Sequence, residues 1–494
     1  VHFVSIVVKP YVHPGLCDLC VSVVKPMRRC FPHILGLTVL LVAACLPQGS
    51  TLHAPLAKEG EVVLYLQPLP QEAVGVRFEI VDVAAVRQDG TAVPLVLSFR
   101  EVVAARLIGE QRRLARATVP VGTYRGLSVR LGRAFLLGEE GENALLVPQE
   151  EVAVAGEFAV REGQYVALFL SMPARAWATQ GFRFAPTFFL RGRERLLPRL
   201  LGLTTTPETD GLWIFNKKAM QVVDVLAAGA GPHDVVLDQS RERAFLCLSG
   251  EDAVQVFDTN TMEPIQTIKL NPGDEPRELA LSPDGRTLIT ANYGSNTASL
   301  VDPDSRFEIG RVRVGTGPVS VVVEPRGTRA YVLNSFANSL SVIHVARREV
   351  IATVALEESP LRAAVSRTGD RVYVIGEFSP DLLAIDPATL TVAERIYVGG
   401  RPLCLTVDRR TDLIYVGTQS GEIAVIDPAS RMSIDAIYAT GAVQAVTIDS
   451  DENTLFAVVP ERSTVEKFNL VNRKALAAIE LDGGGYDVAV TGER

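Results

Sequence analysis

Histidine is scarce in this 494-residue chain: six in all, and after residue 45 only His53, His233 and His344, each alone in its stretch. That excludes copper and haem centres built on several histidines. HExxH, GxSxG, the P-loop and the dinucleotide fingerprint are missing too, so no enzyme class can be named from a motif. Cysteine is almost as sparse. Past Cys45 only Cys247 and Cys404 remain, in FLCLS and PLCLTV. These are strand-like apolar runs in different repeats, which read as two buried thiols rather than a disulfide. A CxxC at Cys17–Cys20 precedes neither a βαβ pattern nor a histidine, so a redox or haem-attachment role has no support. The apolar run Ile34–Cys45 has 12 residues, short of the roughly 20 a membrane-spanning helix needs. Nothing reads as a long helix.

Charge is also lopsided. The net −8 gives no reason to expect a nucleic-acid partner. Residues 1–44 carry +3, 45–197 carry +1 and 198–494 carry −12. In the middle segment the basic charge is arginine, with Lys58 the single lysine. The acidic remainder favours solubility rather than a cationic ligand.

What the chain does have begins at MRRCFPHILGLTVLLVAACLPQG (27–49): two arginines, a short apolar core and small residues, the layout of a signal peptide. Val42-Ala43-Ala44-Cys45 resembles the bacterial lipobox. The resemblance implies a diacylglyceryl group on the Cys45 sulfur and cleavage just before it; acyl chains there would hold the protein at a membrane. The plainer alternative is a buried helix that happens to end in AAC. On the lipoprotein reading Met27 is the start and residues 1–26 are upstream sequence translated in error. Residues 27–44 are then the signal peptide and 45–57 a tether. In enteric bacteria an Asp after the lipidated cysteine retains a lipoprotein in the inner membrane. Here Leu46 stands there, so the outer membrane, on its periplasmic or surface face, is expected in a Gram-negative host.

From residue 229 onward one phrase recurs: a Gly/Pro turn, an apolar run, a polar turn, a second run, a polar loop, and a run ending in Asp. The turns fall at Pro232, Pro276, Pro318, Pro360, Pro402, Val443 and Gly485, spaced 44, 42, 42, 42, 41 and 42 residues. A period near 40 with several short β-runs per unit means one four-stranded blade per repeat. The last unit supplies a single strand, YDVAV. RLLGLTTT, GLWIF and MQVVDVL, before the first full repeat, supply its missing three. Seven blades follow over residues 198–494, the last shared between both ends of the domain, which leaves no open edge.

SPDGRTLITAN (282–292), YVLN (331–334), YVIG (373–376), YVGT (415–418) and VIDPA (425–429) are similar to the YVTN-type β-propeller repeats of bacterial and archaeal surface proteins. That resemblance implies the fold and says little of function. Asp258, Asp302, Asp386 and Asp427 end third strands, with Asn216, His344 and Asn469 in the same place elsewhere. A carboxylate there caps hairpin N–H groups. The sharper reading, a metal-binding ring, needs convergence that these outlying turns do not provide, and no metal or cofactor is expected.

Residues 58–197 read as a second all-β domain, a sandwich of alternating strands such as VGVRFEIVDVAAV and GTYRGLSVRLGRAFL, with one possible helix at Phe99–Leu114. VRFEIVDVAAVRQDGTAVPL and VPVGTYRGLSVRLGRAFL look like a poorly characterised sandwich domain of bacterial lipoproteins. Trp177 is a candidate sugar-stacking platform or, more plainly, a packed interface residue.

Blade geometry puts the loops between second and third strands around one mouth of the central channel. They carry Asn292 and Tyr293, Asn334 and Phe336, Glu377 and Phe378, and Glu461 and Arg462, aromatics beside amides that suit a glycan or peptide. Acids, amides and arginines on the channel wall exist but are not singled out. Three functions stay open. The first is a non-catalytic, lipid-anchored binding or scaffold protein presenting the propeller to an envelope protein or glycan. The others are a lactonase-like propeller hydrolase or lyase, and a structural surface-layer or envelope component.

Overall fold

The computed structural model describes residues 58–138, 141–173, 182–357 and 359–492. Cys45, the signal and tether segments, and Trp177 lie outside them. The described chain is all-β, with short 3₁₀ turns as its other regular elements.

Seven four-stranded antiparallel sheets form the propeller. Six are consecutive meanders. The seventh joins the innermost strand Val488–Val490 to Leu201–Thr206, Gly211–Asn216 and Gln221–Ala227, as the turn spacing predicts. Burial follows the position of each strand. Second strands such as Arg329–Asn334 and third strands such as Ser339–His344 are sandwiched between neighbouring blades and read as near-continuous apolar runs. Outermost strands such as Thr391–Tyr397 alternate exposed and covered residues.

The hairpin caps are as the sequence predicts. Asp258 Oδ1 accepts from the N–H groups of Asn260 and Thr261 at 2.8 and 3.0 Å. Asp302, Asp386, Asp427, Asn216 and Asn469 repeat the arrangement, and His344 Nδ1 accepts from Arg347 N–H. The chain then returns through a non-glycine residue at positive φ, for example Leu390 at 59° and Arg431 at 61°. These side chains are spent on turn geometry.

The N-terminal domain contains β1 (Glu59–Leu66), β2 (Val76–Arg87), β3 (Ala92–Leu97), β4 (Glu101–Val103), β5 (Arg112–Pro120), β6 (Gly122–Gly138), β7 (Gly141–Leu145), β8 (Val152–Val160), β9 (Tyr165–Ser171) and β10 (Phe189–Arg191). Its two layers, β10-β9-β1-β5 and β2-β6 with β4, β7 and β8, are joined by β3, which pairs with both β2 and β5. The expected sandwich is therefore one sheet curled over into a half-barrel around its core, in which Phe78, Ile80, Leu127 and Phe184 are buried. The helix expected at Phe99–Leu114 does not form. β4, a 3₁₀ turn at Ala104–Arg106 and the start of β5 occupy that stretch. Pairing of Glu101–Val103 with Arg77–Glu79 supplies the ladder, and Gly109 at φ 77° breaks the helical path.

β1 is buried on both faces. Val62, Leu64 and Leu66 enter the half-barrel core, whereas Val63 and Tyr65 join Phe169, Trp213, Phe215 and Phe456 in an apolar contact with the propeller. Polar groups complete this contact. Gln111 exchanges two hydrogen bonds with the backbone of Val222, at 2.9 and 2.8 Å, in place of a strand partner for the closing blade. Tyr65 Oη donates to the Glu480 carbonyl at 2.7 Å. Arg113 and Arg116 converge on Asp482, whose carboxylate is 4% exposed. At the far mouth of the channel, Lys217 of the closing blade buries its ammonium against Asp449 of blade 6 and the Thr491 carbonyl.

Asp482→Asn removes the charge that two guanidiniums share, and should cost about 2 kcal/mol, discounted for the partial exposure of both arginines. Urea unfolding of the variant checks this. An unchanged midpoint would mean that the other contacts join the domains without this charge.

Candidate functional site at the channel mouth

The site grows out of one local irregularity. Innermost strands of blades 1–5 open on proline, and the ladder slips just after it. Pro276 faces Asn292 and Glu278 faces Ala291, which leaves Arg277 without an opposite residue. The same slip follows Pro318, Pro360 and Pro402, and a longer one follows Pro232. Such bulges re-aim side chains. They turn Asp234, Arg277, Glu278 and Arg362 into the channel, where Tyr486 and Asp487 of the closing blade join them around a cavity of about 660 Å³.

The innermost strands leave one edge of backbone N–H and C=O groups facing this channel, and acids there satisfy part of it. Asp487 Oδ2 accepts from the Val235 N–H of the next blade at 3.1 Å, and Asp234 Oδ2 from Leu279 N–H at 2.5 Å. Glu278 Oε1 accepts from Ser320 Oγ at 2.9 Å and Val321 N–H at 3.2 Å. Ser320 Oγ accepts in turn from Ala363 N–H at 3.3 Å. Four blade junctions are stitched in one direction around the ring. At blade 5 the stitch changes character, with Cys404 Sγ donating to the Val443 carbonyl at 3.3 Å.

Two of these acids do not ionise freely. Burial, then the charges of Asp487 and Glu278, hold the Asp234 carboxyl well above its usual range. Burial pushes Glu278 up to about 7, although Arg362 beside it at 3.6 Å pulls the other way. For Arg362 burial opposes the charge, but Tyr486 and Glu278 outweigh it and hold the guanidinium ionised. Arg362 also donates to Tyr486 Oη at 3.1 Å. Burial lowers the His233 pKa, and Arg277 and Arg362 add to the effect. A neutral ring fits its bonds: Nδ1 lies 2.9 Å from the Gly231 carbonyl, and Nε2 accepts from Arg277 Nη1 at 2.9 Å.

The residues expected at the mouth divide into two groups. Asn292 and Asn334 are fully buried. Their Nδ2 groups donate to Thr297 and Ser299 and to Ser339 and Ser341, pinning second strands to third strands. They present no amide to a ligand. The aromatics do face outward: Phe336 is 70% and Phe378 73% exposed. Tyr293 lies half-buried, 5.8 Å from Phe336 between ring centres, with the Arg277 guanidinium over its face at 4.8 Å. Glu377 pairs with Arg401 at 2.9 Å, and Arg401 lies over Phe378. Glu461 and Arg462 stand exposed on a 3₁₀ turn.

The channel residues were not singled out by sequence reasoning, although a signal was present. Aligned on the turn, the units read PHD, PRE, PVS, PLR and PLC, so charge at the second and third places marks departures from an apolar consensus.

No protein-family model matches this chain, and no curated protein matches it. Among solved structures, Kuenenia stuttgartiensis hydrazine synthase is similar over 52% of this chain and 88% of its own, with 18% identity and a TM-score of 0.47. The dihydro-heme d1 dehydrogenase NirN in complex with DHE is similar over 61% and 78%, with 12% identity and a TM-score of 0.47. Likenesses at this level carry no argument about activity.

A carboxyl whose pKa is raised on folding stabilises the fold below its unfolded value and loses that contribution as pH rises through the folded value. For Glu278 the window runs from about 4.5 to about 7. Melting temperature should therefore fall across this window more steeply in the native chain than in Glu278→Gln. Parallel melting profiles for the two proteins would contradict the assignment.

Proposed function

We propose that this chain is an exported binding protein, held at a membrane through lipid on Cys45, that presents the propeller mouth to an envelope protein or glycan. One observation carries the reading: the exposed rings of Phe336 and Phe378 stand on loops of neighbouring blades, and Phe336 lies 5.8 Å from Tyr293, whose face carries the Arg277 guanidinium of the channel wall. Exposed aromatic rings at the entrance of a concave site are ordinary binding elements, apolar on the face and polar in setting. The Val-Ala-Ala-Cys tetrad after a short apolar run supports the anchor, and the YVTN-like phrases support kinship with surface propellers.

A second reading, a lactonase-like hydrolase or lyase, draws on Glu278, whose pKa near neutrality suits proton transfer. Against it, Asp234, Glu278 and Asp487 each spend an oxygen on the backbone of the next blade, as structural groups do. A surface-layer role has no specific observation in its favour.

Two experiments test the proposal. Cys45→Ser should move the protein from the membrane to the soluble fraction after fractionation of the native host. Crosslinked pull-down of the acylated protein should recover a partner that the Phe336→Ala/Phe378→Ala variant loses by about tenfold or more, as expected when two aromatic anchors go. Equal recovery by both proteins would remove the mouth from the proposal.

A further inference from the structure

We infer that Arg277 is an anion subsite, which takes the carboxylate of an acidic saccharide entering the channel mouth. The inference rests on the mouth being the binding surface, and adds the chemistry of the ligand. Arg277 lines the channel cavity half-buried, yet no carboxylate among the described residues lies within ion-pair distance of it. Its neighbour Arg362 has Glu278 at 3.6 Å, and at the rim Arg401 has Glu377. Arg277 instead donates one N–H to the neutral imidazole of His233 and rests its face on Tyr293. Its Nε is shielded from water without any partner. A guanidinium that lies over an aromatic ring in the cavity wall and has no counter-charge suits a planar anion.

Two of the acids that share the cavity are poorly ionised, and Asp487 is bonded to the backbone of the next blade. Asp234 and Glu278 hold their protons more tightly than ordinary acids, and Glu278 faces Arg362. A saccharide can use both the wall and the rim. Inner-strand edges present both backbone donors and acceptors to the lumen, and a hydroxyl can answer either. Sugar faces also suit the exposed rings of Phe336 and Phe378 at the entrance.

The probe is a trimer of galacturonic acid, compared with its methyl ester, which has the same shape and no charge. Calorimetry on the folded protein should show the acid binding about ten- to a hundredfold more tightly than the ester, the range of a charge-assisted contact at a desolvated site. Arg277→Gln should abolish that preference while keeping the ester affinity. Arg277→Lys, which retains charge but not the planar fork, should restore only part of it. Melting curves confirm that each variant is folded. Equal binding of acid and ester, an acid affinity unchanged in Arg277→Gln, tighter binding of a carboxyl-terminal tripeptide than of the trimer, or no binding of either saccharide would overturn the inference. The pull-down with the phenylalanine variant judges the mouth separately, so a failure here leaves that result standing.

Discussion

The ring depends on one short pairing. Val488–Val490 meets Leu201–Thr206 through three residue pairs, Gly202 with Val490, Leu203 with Ala489 and Thr204 with Val488. Every other blade is a continuous meander that can form from local contacts. The closing blade instead joins segments almost 290 residues apart, so the cost of bringing the ends together falls on it alone. Its reinforcement is correspondingly dense. The half-barrel covers its outer strand with Tyr65, Phe169 and the Gln111 exchange. Lys217 and Asp449 lock the far mouth, and Thr204 and Thr205 bond the backbone around Asp487 at the near one. The placing of Tyr486 and Asp487 in the channel wall is thus downstream of ring closure.

Much of this was legible because the repeat obeys simple rules. Turn spacing gave seven blades and the shared one. The residue ending each third strand was readable as a cap, because a short polar side chain before a tight turn has few other uses. Other features were hidden for physical reasons. Phe99–Leu114 has helix-favouring composition, but strand pairing with β2 outweighs local preference. Asn292 and Asn334 stand at loop entrances and read as ligand amides, yet each folds back onto hydroxyls of its own hairpin. No pattern within a strand says which neighbour its side chain will prefer.

The charged groups of the channel wall show a different limit. A repeat is recognised by what its units share, whereas His233, Asp234, Arg277, Glu278 and Arg362 are where the units differ. Their effect also requires the bulge after each proline and the closeness of blades 7, 1 and 2, which only the closed ring provides. The same groups stitch blades together and set the electrostatics of the mouth. A change at one of these side chains would therefore disturb the blade junctions as well as the charge of the channel wall.

β1 gives the molecule a history as well as a shape. Alternation along a strand normally separates an interior from water; here Val62, Leu64 and Leu66 face one interior, and Val63 and Tyr65 face another. The strand is a party wall between two rooms. Neither domain can be lent to another protein as a ready-made cassette, because separating them would bare an apolar wall on each. Descendants of this arrangement would inherit the pair together, and recombination would be tolerated at the loops of the mouth long before it was tolerated at the junction.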